Sequence, residues 1–154
     1  MGRVQIERVR LKENLFLYDY TKGVAYMESF ENLLPRHKSD SDRVEKIKNM
    51  DRDKIVPLLP GLLEWTKDMN WPIASSVMEL LLTFPKEIVP HVQEALSSND
   101  DNWKYFILKF LVCELPIESR ILFKHYLTRL AETPTPNEVV EELDEIALEI
   151  LETV

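Results

Sequence analysis

The stretch Ile55-Val56-Pro57-Leu58-Leu59-Pro60-Gly61-Leu62-Leu63-Glu64-Trp65, continued by Asp68-Met69-Asn70-Trp71-Pro72 and closed by Phe84-Pro85, decides how the chain is read. Its landmarks return one unit later. Ile55-Val56-Pro57 recurs as Ile88-Val89-Pro90 after 33 residues, Asn70-Trp71 as Asn102-Trp103 after 32, and Phe84-Pro85 as Leu115-Pro116 after 31. Each unit opens a first helix near the Ile-Val-Pro, where proline is tolerated because a first-turn N–H has no intrahelical partner. A polar turn rich in Asp and Asn leads to the tryptophan, and a second helix runs to the closing proline. Asn70 and Asn102 are the expected N-caps of those second helices, with Pro72 in the first turn.

The second helices read as apolar nearly all round. One carries Ile73, Val77, Met78, Leu80, Leu81, Leu82 and Phe84; the other carries Tyr105, Phe106, Leu108, Phe110 and Leu111. Helices of that kind are covered by neighbours on both sides. A third, degenerate unit follows: Ile121, Leu122, Tyr126, Leu127 and Leu130, a turn at Thr133–Asn137, then Val139, Val140, Leu143, Ile146, Ala147, Ile150 and Leu151. This last set is amphipathic with an acidic opposite face, as a capping element should be. A helical pair repeated every 31–33 residues is the signature of an α-solenoid of HEAT or armadillo type. The fold expected for residues 27–154 is therefore mainly α, a short solenoid of helical pairs.

Upstream, Met27 to Leu34 reads as a short helix ended by Pro35. Ser39-Asp40-Ser41-Asp42 supplies caps for a helix through Val44, Ile47 and Met50. Residues 1–26 have a different character. Val4 and Ile6 alternate with polar residues, and Leu15, Leu17, Tyr18 and Tyr20 follow Lys12-Glu13-Asn14, which reads as a small β-hairpin. The competing reading is a native start at Met27.

Among the 154 residues, 27 Asp and Glu outweigh 19 Lys and Arg, a net charge of −8. That balance argues against a uniformly basic nucleic-acid binder. Three glycines argue against Gly-rich phosphate loops, and the single cysteine, Cys113, forbids an intramolecular disulfide or a multi-cysteine zinc site. No secretory or membrane-spanning stretch is present in the sequence, so a cytoplasmic protein without a membrane partner is expected. Charge is also uneven: residues 132–154 hold eight carboxylates and no Lys or Arg, while Arg36-His37-Lys38 makes the front end basic.

Paired groups that could do chemistry are missing from the sequence. His37, His91 and His125 lie in different units, with no zinc helix, nucleophile elbow, Walker loop or calcium loop. Asn99-Asp100-Asp101-Asn102 lacks the calcium-loop glycine and reads as an interhelical turn. Cys113 is expected to pack and His125 to lie at the surface, rather than to meet as nucleophile and base. No cofactor or metal is expected. The candidate contact residues are Trp71 and Trp103 with Asp68, Asp100, Asp101 and Lys104. They form either packing staples or a recognition strip along one edge. Glu141, Glu145 and Glu152 are candidates for meeting a basic partner, and Arg36, His37 and Lys38 for meeting an anion.

Three strings together carry a resemblance: Leu33-Leu34-Pro35-Arg36-His37-Lys38-Ser39-Asp40, Leu63-Glu64-Trp65 with Asp68-Met69-Asn70-Trp71-Pro72, and Asp100-Asp101 with Trp103-Lys104-Tyr105. Through them the chain resembles the mainly bacterial domain-of-unknown-function family 5071 over about residues 33–152. The resemblance implies a HEAT-like helical fold and brings no catalytic motif to carry over. The function expected is a non-enzymatic module that binds another protein. The alternatives are an immunity protein that neutralises a toxin, and an enzyme or anion-binding protein with its site near Arg36, His37 and Lys38. Oligomeric state stays open.

Overall fold

The structure is a computed structural model that describes residues 6–11, 14–19, 24–29 and 32–154. The chain divides into two compact units, Met1–Leu34 and Pro35–Val154. In the first, strands β1 (Ile6–Leu11), β2 (Asn14–Asp19) and β3 (Val24–Ser29) form an antiparallel sheet in the order β1-β2-β3. Leu17 lies opposite Arg8 on one side and Tyr26 on the other. Met27, Glu28 and Ser29, expected to open a helix, belong instead to β3 and pair with Phe16, Leu15 and Asn14, while Phe30 and Glu31 lie outside the described residues. Val4, Lys12-Glu13 and Tyr20 lie outside the described residues.

The second unit is helical throughout. It runs α1 (Ser41–Lys48), α2 (Arg52–Ile55), α3 (Leu59–Glu64), α4 (Ala74–Leu82), α5 (Val89–Leu96), α6 (Asp101–Phe110), α7 (Ile117–Arg120), α8 (Lys124–Glu132), α9 (Pro136–Val140) and α10 (Leu143–Leu151). Asp40 caps α1 as expected, accepting from the Arg43 N–H at 3.4 Å. Prolines fall in the first turns of α3 and α5. Two segments of this unit, 52–64 and 117–132, share a construction the sequence hides. A four-residue helix passes through a 3-10 turn (Val56–Leu58, Ile121–Phe123) into the longer α3 or α8.

Two expectations need correcting. Neither asparagine caps its helix. Asp100 accepts the Trp103 N–H at 3.0 Å and caps α6, while α4 starts at Ala74 with no side-chain cap. The final helix is also broken. Glu142 takes the left-handed conformation (φ 61°), splitting α9 from α10 and leaving Val139 and Val140 in solvent rather than in the apolar stripe.

The core is built from inward faces. α3 packs on α4 and α5, α5 on α6, and α10 on both α6 and α8. Leu59, Leu62, Leu81, Ile88, Ile107, Leu108, Phe123 and Leu127 are fully enclosed. α6 is less completely covered than its sequence suggests, since Phe110 is exposed and Tyr105 and Phe106 are half-buried.

Polar ties between elements distant in the chain have a similar span. Hydrogen bonds join Lys38 to Ile73, Lys48 to Ser76, Thr66 to Trp103, Pro85 to Ser119, Gln93 to Leu122 and Asp101 to Asn137. The five that involve a side chain bridge between 28 and 37 residues. Each therefore joins elements far apart in the chain, as Lys48 of α1 joins Ser76 of α4 and Asp101 of α6 joins Asn137 of α9.

Candidate functional site

The first turn of α6 brings Asp101 and Lys104 together, because residues three apart share a helix face. Lys104 Nζ lies 3.0 Å from Asp101 Oδ1, and its side chain is only 6% exposed. A lone ammonium in such a place would be strongly disfavoured. Glu138 supplies the second counter-charge, with Oε2 at 3.9 Å from Nζ and its side chain 2% exposed.

The local sequence explains why Glu138 turns inward. Thr135-Pro136-Asn137-Glu138 forms a capping box: the Thr135 hydroxyl accepts the Glu138 N–H, and the Glu138 carboxylate accepts the Thr135 N–H at 2.9 Å. From α8, both terminal nitrogens of Arg129 donate to the same carboxylate. Those Arg129 bonds lower the Glu138 carboxyl from its ordinary value to about 2, helped by the Thr135 bonds and opposed by burial. The pairing raises Arg129 in return. Asn137 Nδ2 donates to Asp101 Oδ2 at 2.6 Å, so two cations and two anions form one cluster across α6, α8 and α9.

Above this cluster opens a cavity of about 450 Å³ whose lining includes Lys104, Asp101, Glu138, Arg129, His125, Tyr126 and the Ser97-Ser98-Asn99 turn. The sequence singled out Asp101 and Lys104 but missed Arg129, Glu138 and Tyr126. The Thr-x-x-Glu spacing was the one readable signal, since it fixes Glu138 near its own helix start.

The other candidates are dispersed. Trp103 is 8% exposed, its indole N–H donates to the Thr66 hydroxyl at 3.0 Å, and Lys67 Nζ sits 4.7 Å over its ring. Trp71 is half-buried and meets Trp65 edge-on at 5.6 Å between ring centres. The two indoles form no shared exposed strip, because Trp103 is enclosed. The Trp103 hydrogen bond ties α6 to the turn after α3. Asp68 folds the turn ahead of Trp71 by accepting the Asn70 N–H at 2.8 Å.

Arg36, His37 and Lys38 sit in the exposed turn before α1. Arg36 donates through N–H and Nε to the buried Asp40 carboxylate at 2.9 and 3.0 Å and holds it well below the usual carboxylate range. His37 Nδ1 accepts the Ser39 N–H, and the Lys38 carbonyl accepts the Ile73 N–H.

Cys113 is half-buried rather than enclosed. Its thiol donates to the Lys109 carbonyl, and burial pushes its pKa up. It lines a separate cavity with Ile146 and Glu149, whereas the exposed His125 lines the one over Lys104. Among the described residues no group of three His, Cys, Asp or Glu side chains could hold a metal ion. No helix among them is long and apolar enough to cross a membrane.

The acidic end presents Glu142, Glu145, Glu149 and Glu152 to solvent, with Glu141 half-buried. On the same two helices Val139 (47% exposed), Val140 (74%) and Leu148 (51%) are exposed as well.

No curated protein matches the chain. A family profile matches residues 33–151, which covers nearly all of the helical unit. The chain belongs to the family described as Domain of unknown function (DUF5071).

Proposed function

We propose that the chain is a non-enzymatic protein-binding module, a short α-solenoid of HEAT-like pairs whose C-terminal end meets a basic protein in the cytoplasm. The one-unit span of the inter-pair hydrogen bonds supports the solenoid, since in such folds each repeat contacts only its neighbours. The observation that carries the binding reading is the surface of α9 and α10. There Glu142, Glu145, Glu149 and Glu152 are exposed, as are Val140 and Leu148, and Glu145 and Glu152 stand three and four residues from Leu148, on the same face.

A surface of one sign speeds the encounter with an oppositely charged partner and selects against like-charged ones. Exposed apolar side chains within it supply area that is removed from water on docking. A basic toxin held inactive by this protein is the partner class that the acidity favours, by analogy of fold and charge.

Site-specific photo-crosslinking in the native cell tests the reading. Leu148→p-benzoylphenylalanine on α10 should capture a protein rich in exposed Lys and Arg, and Ser75→p-benzoylphenylalanine on the exposed side of α4 should not. Adducts from position 75 alone would contradict it, as would adducts identical from both.

A further inference from the structure

We infer that the cavity over Lys104 binds a small oxyanion, either a carboxylate or a phosphate group. This is a different site from the exposed carboxylates of α10, being built by α6 and α8 with the turns beside them and by the buried Glu138 of α9. The argument is a balance of donors against acceptors. All four carboxylate oxygens of the cluster already accept a hydrogen bond: those of Asp101 from Lys104 and Asn137, those of Glu138 from Arg129, with the Thr135 N–H shared.

The cations are not used up. An ammonium has three N–H donors and a guanidinium five. Lys104 Nζ has one acceptor within hydrogen-bond distance, because Glu138 at 3.9 Å is beyond it. Arg129 spends only its terminal nitrogens, on Glu138 and the Thr133 carbonyl. His125 stands four residues before Arg129 on α8, so both reach the same wall of the cavity. Lys104 forms the floor, where its burial leaves little room for water to take the remaining N–H groups. An unmade hydrogen bond from a buried charged group is costly, and an oxygen entering the cavity makes it. An oxyanion offers several such oxygens at once. A cationic ligand has no acceptor to offer those N–H groups and would meet the positive charges of Lys104 and Arg129.

The test is a titration of the full chain followed by NMR of its backbone amides and histidine rings. Sodium phosphate and sodium acetate form separate arms, with sodium chloride at matched ionic strength as control. The expected result is saturable shifts at Lys104 and His125 with at least one oxyanion. A response to phosphate alone identifies a phosphate-type ligand, to acetate alone a carboxylate, and to both the shared oxyanion chemistry. Lys104→Gln should weaken the response roughly tenfold, the loss of one charged hydrogen bond. His125→Gln, at an exposed position that leaves the cluster intact, should weaken it by a smaller factor and decides the matter if Lys104→Gln does not fold. Shifts that match sodium chloride, or saturation unchanged in His125→Gln, would overturn the inference.

Discussion

The indole N–H of Trp103 donates to the hydroxyl of Thr66, 37 residues earlier, at 3.0 Å in the buried interior. The first turn of α6 is thereby tied to the turn after α3 by a bond that solvent does not reach. Thr66 has no exposed surface and donates in turn to the Leu63 carbonyl, so the tie is anchored in the backbone at the end of α3.

Two substitutions separate packing from hydrogen bonding at this tie. Trp103→Ala should cost ~3–5 kcal/mol, as large-to-small changes in a core do. Thr66→Val keeps the volume but orphans the indole N–H, and should cost about 1–3 kcal/mol. Trp71→Ala removes a half-buried ring and should cost less than Trp103→Ala. Urea denaturation of the three variants gives the order, and equal losses at positions 71 and 103 would contradict it.

The caps of the second helices offer a sharper comparison. Asp100→Ala should lower stability by about 1 kcal/mol, the usual loss for an N-cap side chain. Asn102→Ala and Asn70→Ala should change it by less than half of that, because neither side chain caps a helix. Thermal unfolding of the three single variants distinguishes the caps.

Glu138 predicts a pH dependence of definite sign. Its folded-state carboxyl sits near 2 against an ordinary 4.5, held there first by Arg129. The stabilisation is therefore complete above the ordinary value and is lost as pH falls from 4.5 toward 2. Asp40, lowered by Arg36, adds to the same acid-side loss. Glu138→Gln should be less stable at neutral pH and lose less on acidification. Melting temperatures between neutral pH and the acid limit, for both proteins, show this as converging curves.

Glu142 is the one non-glycine residue with positive φ among the described residues. A side chain in that region costs roughly 1 kcal/mol relative to glycine. Glu142→Gly should raise the unfolding free energy by up to about that amount without shifting α9 against α10. Chemical denaturation and the amide spectrum of the variant check both halves.

The helical unit was legible because its signals are local. Pro90 marks the first turn of α5 as expected, Asp40 is one of the four cap candidates offered for α1, and Pro57 falls in the 3-10 turn that leads into α3. What sequence misplaced were choices between equivalent local options. Asp100 and Asn102 are both good cap residues, and periodicity fixes a helix start only to within a residue or two. Met27-Glu28-Ser29 suits a helix by composition, yet pairing with β2 places it in a strand. The candidate cavity was half legible. Asp101 and Lys104 are neighbours in sequence, but Glu138 reads as one more acid in an acidic tail. Only the fold brings Arg129 and Lys104 to it, from α8 and α6. The same holds for Trp103, whose partner lies 37 residues earlier.

Association kinetics test the acidic docking surface most directly. The protein captured through position 148 is presented to the wild-type chain and to the Glu141→Gln/Glu145→Gln/Glu152→Gln variant at low and high salt. All three residues lie at or near the surface, so the variant should keep the wild-type melting temperature. It should associate several-fold more slowly at low salt, and its rate should depend less on salt, because steering by exposed charge is screened beyond a Debye length of about 8–10 Å. Equal rates and equal salt slopes for the two proteins would contradict the docking role and leave the carboxylates as a solvated helix face.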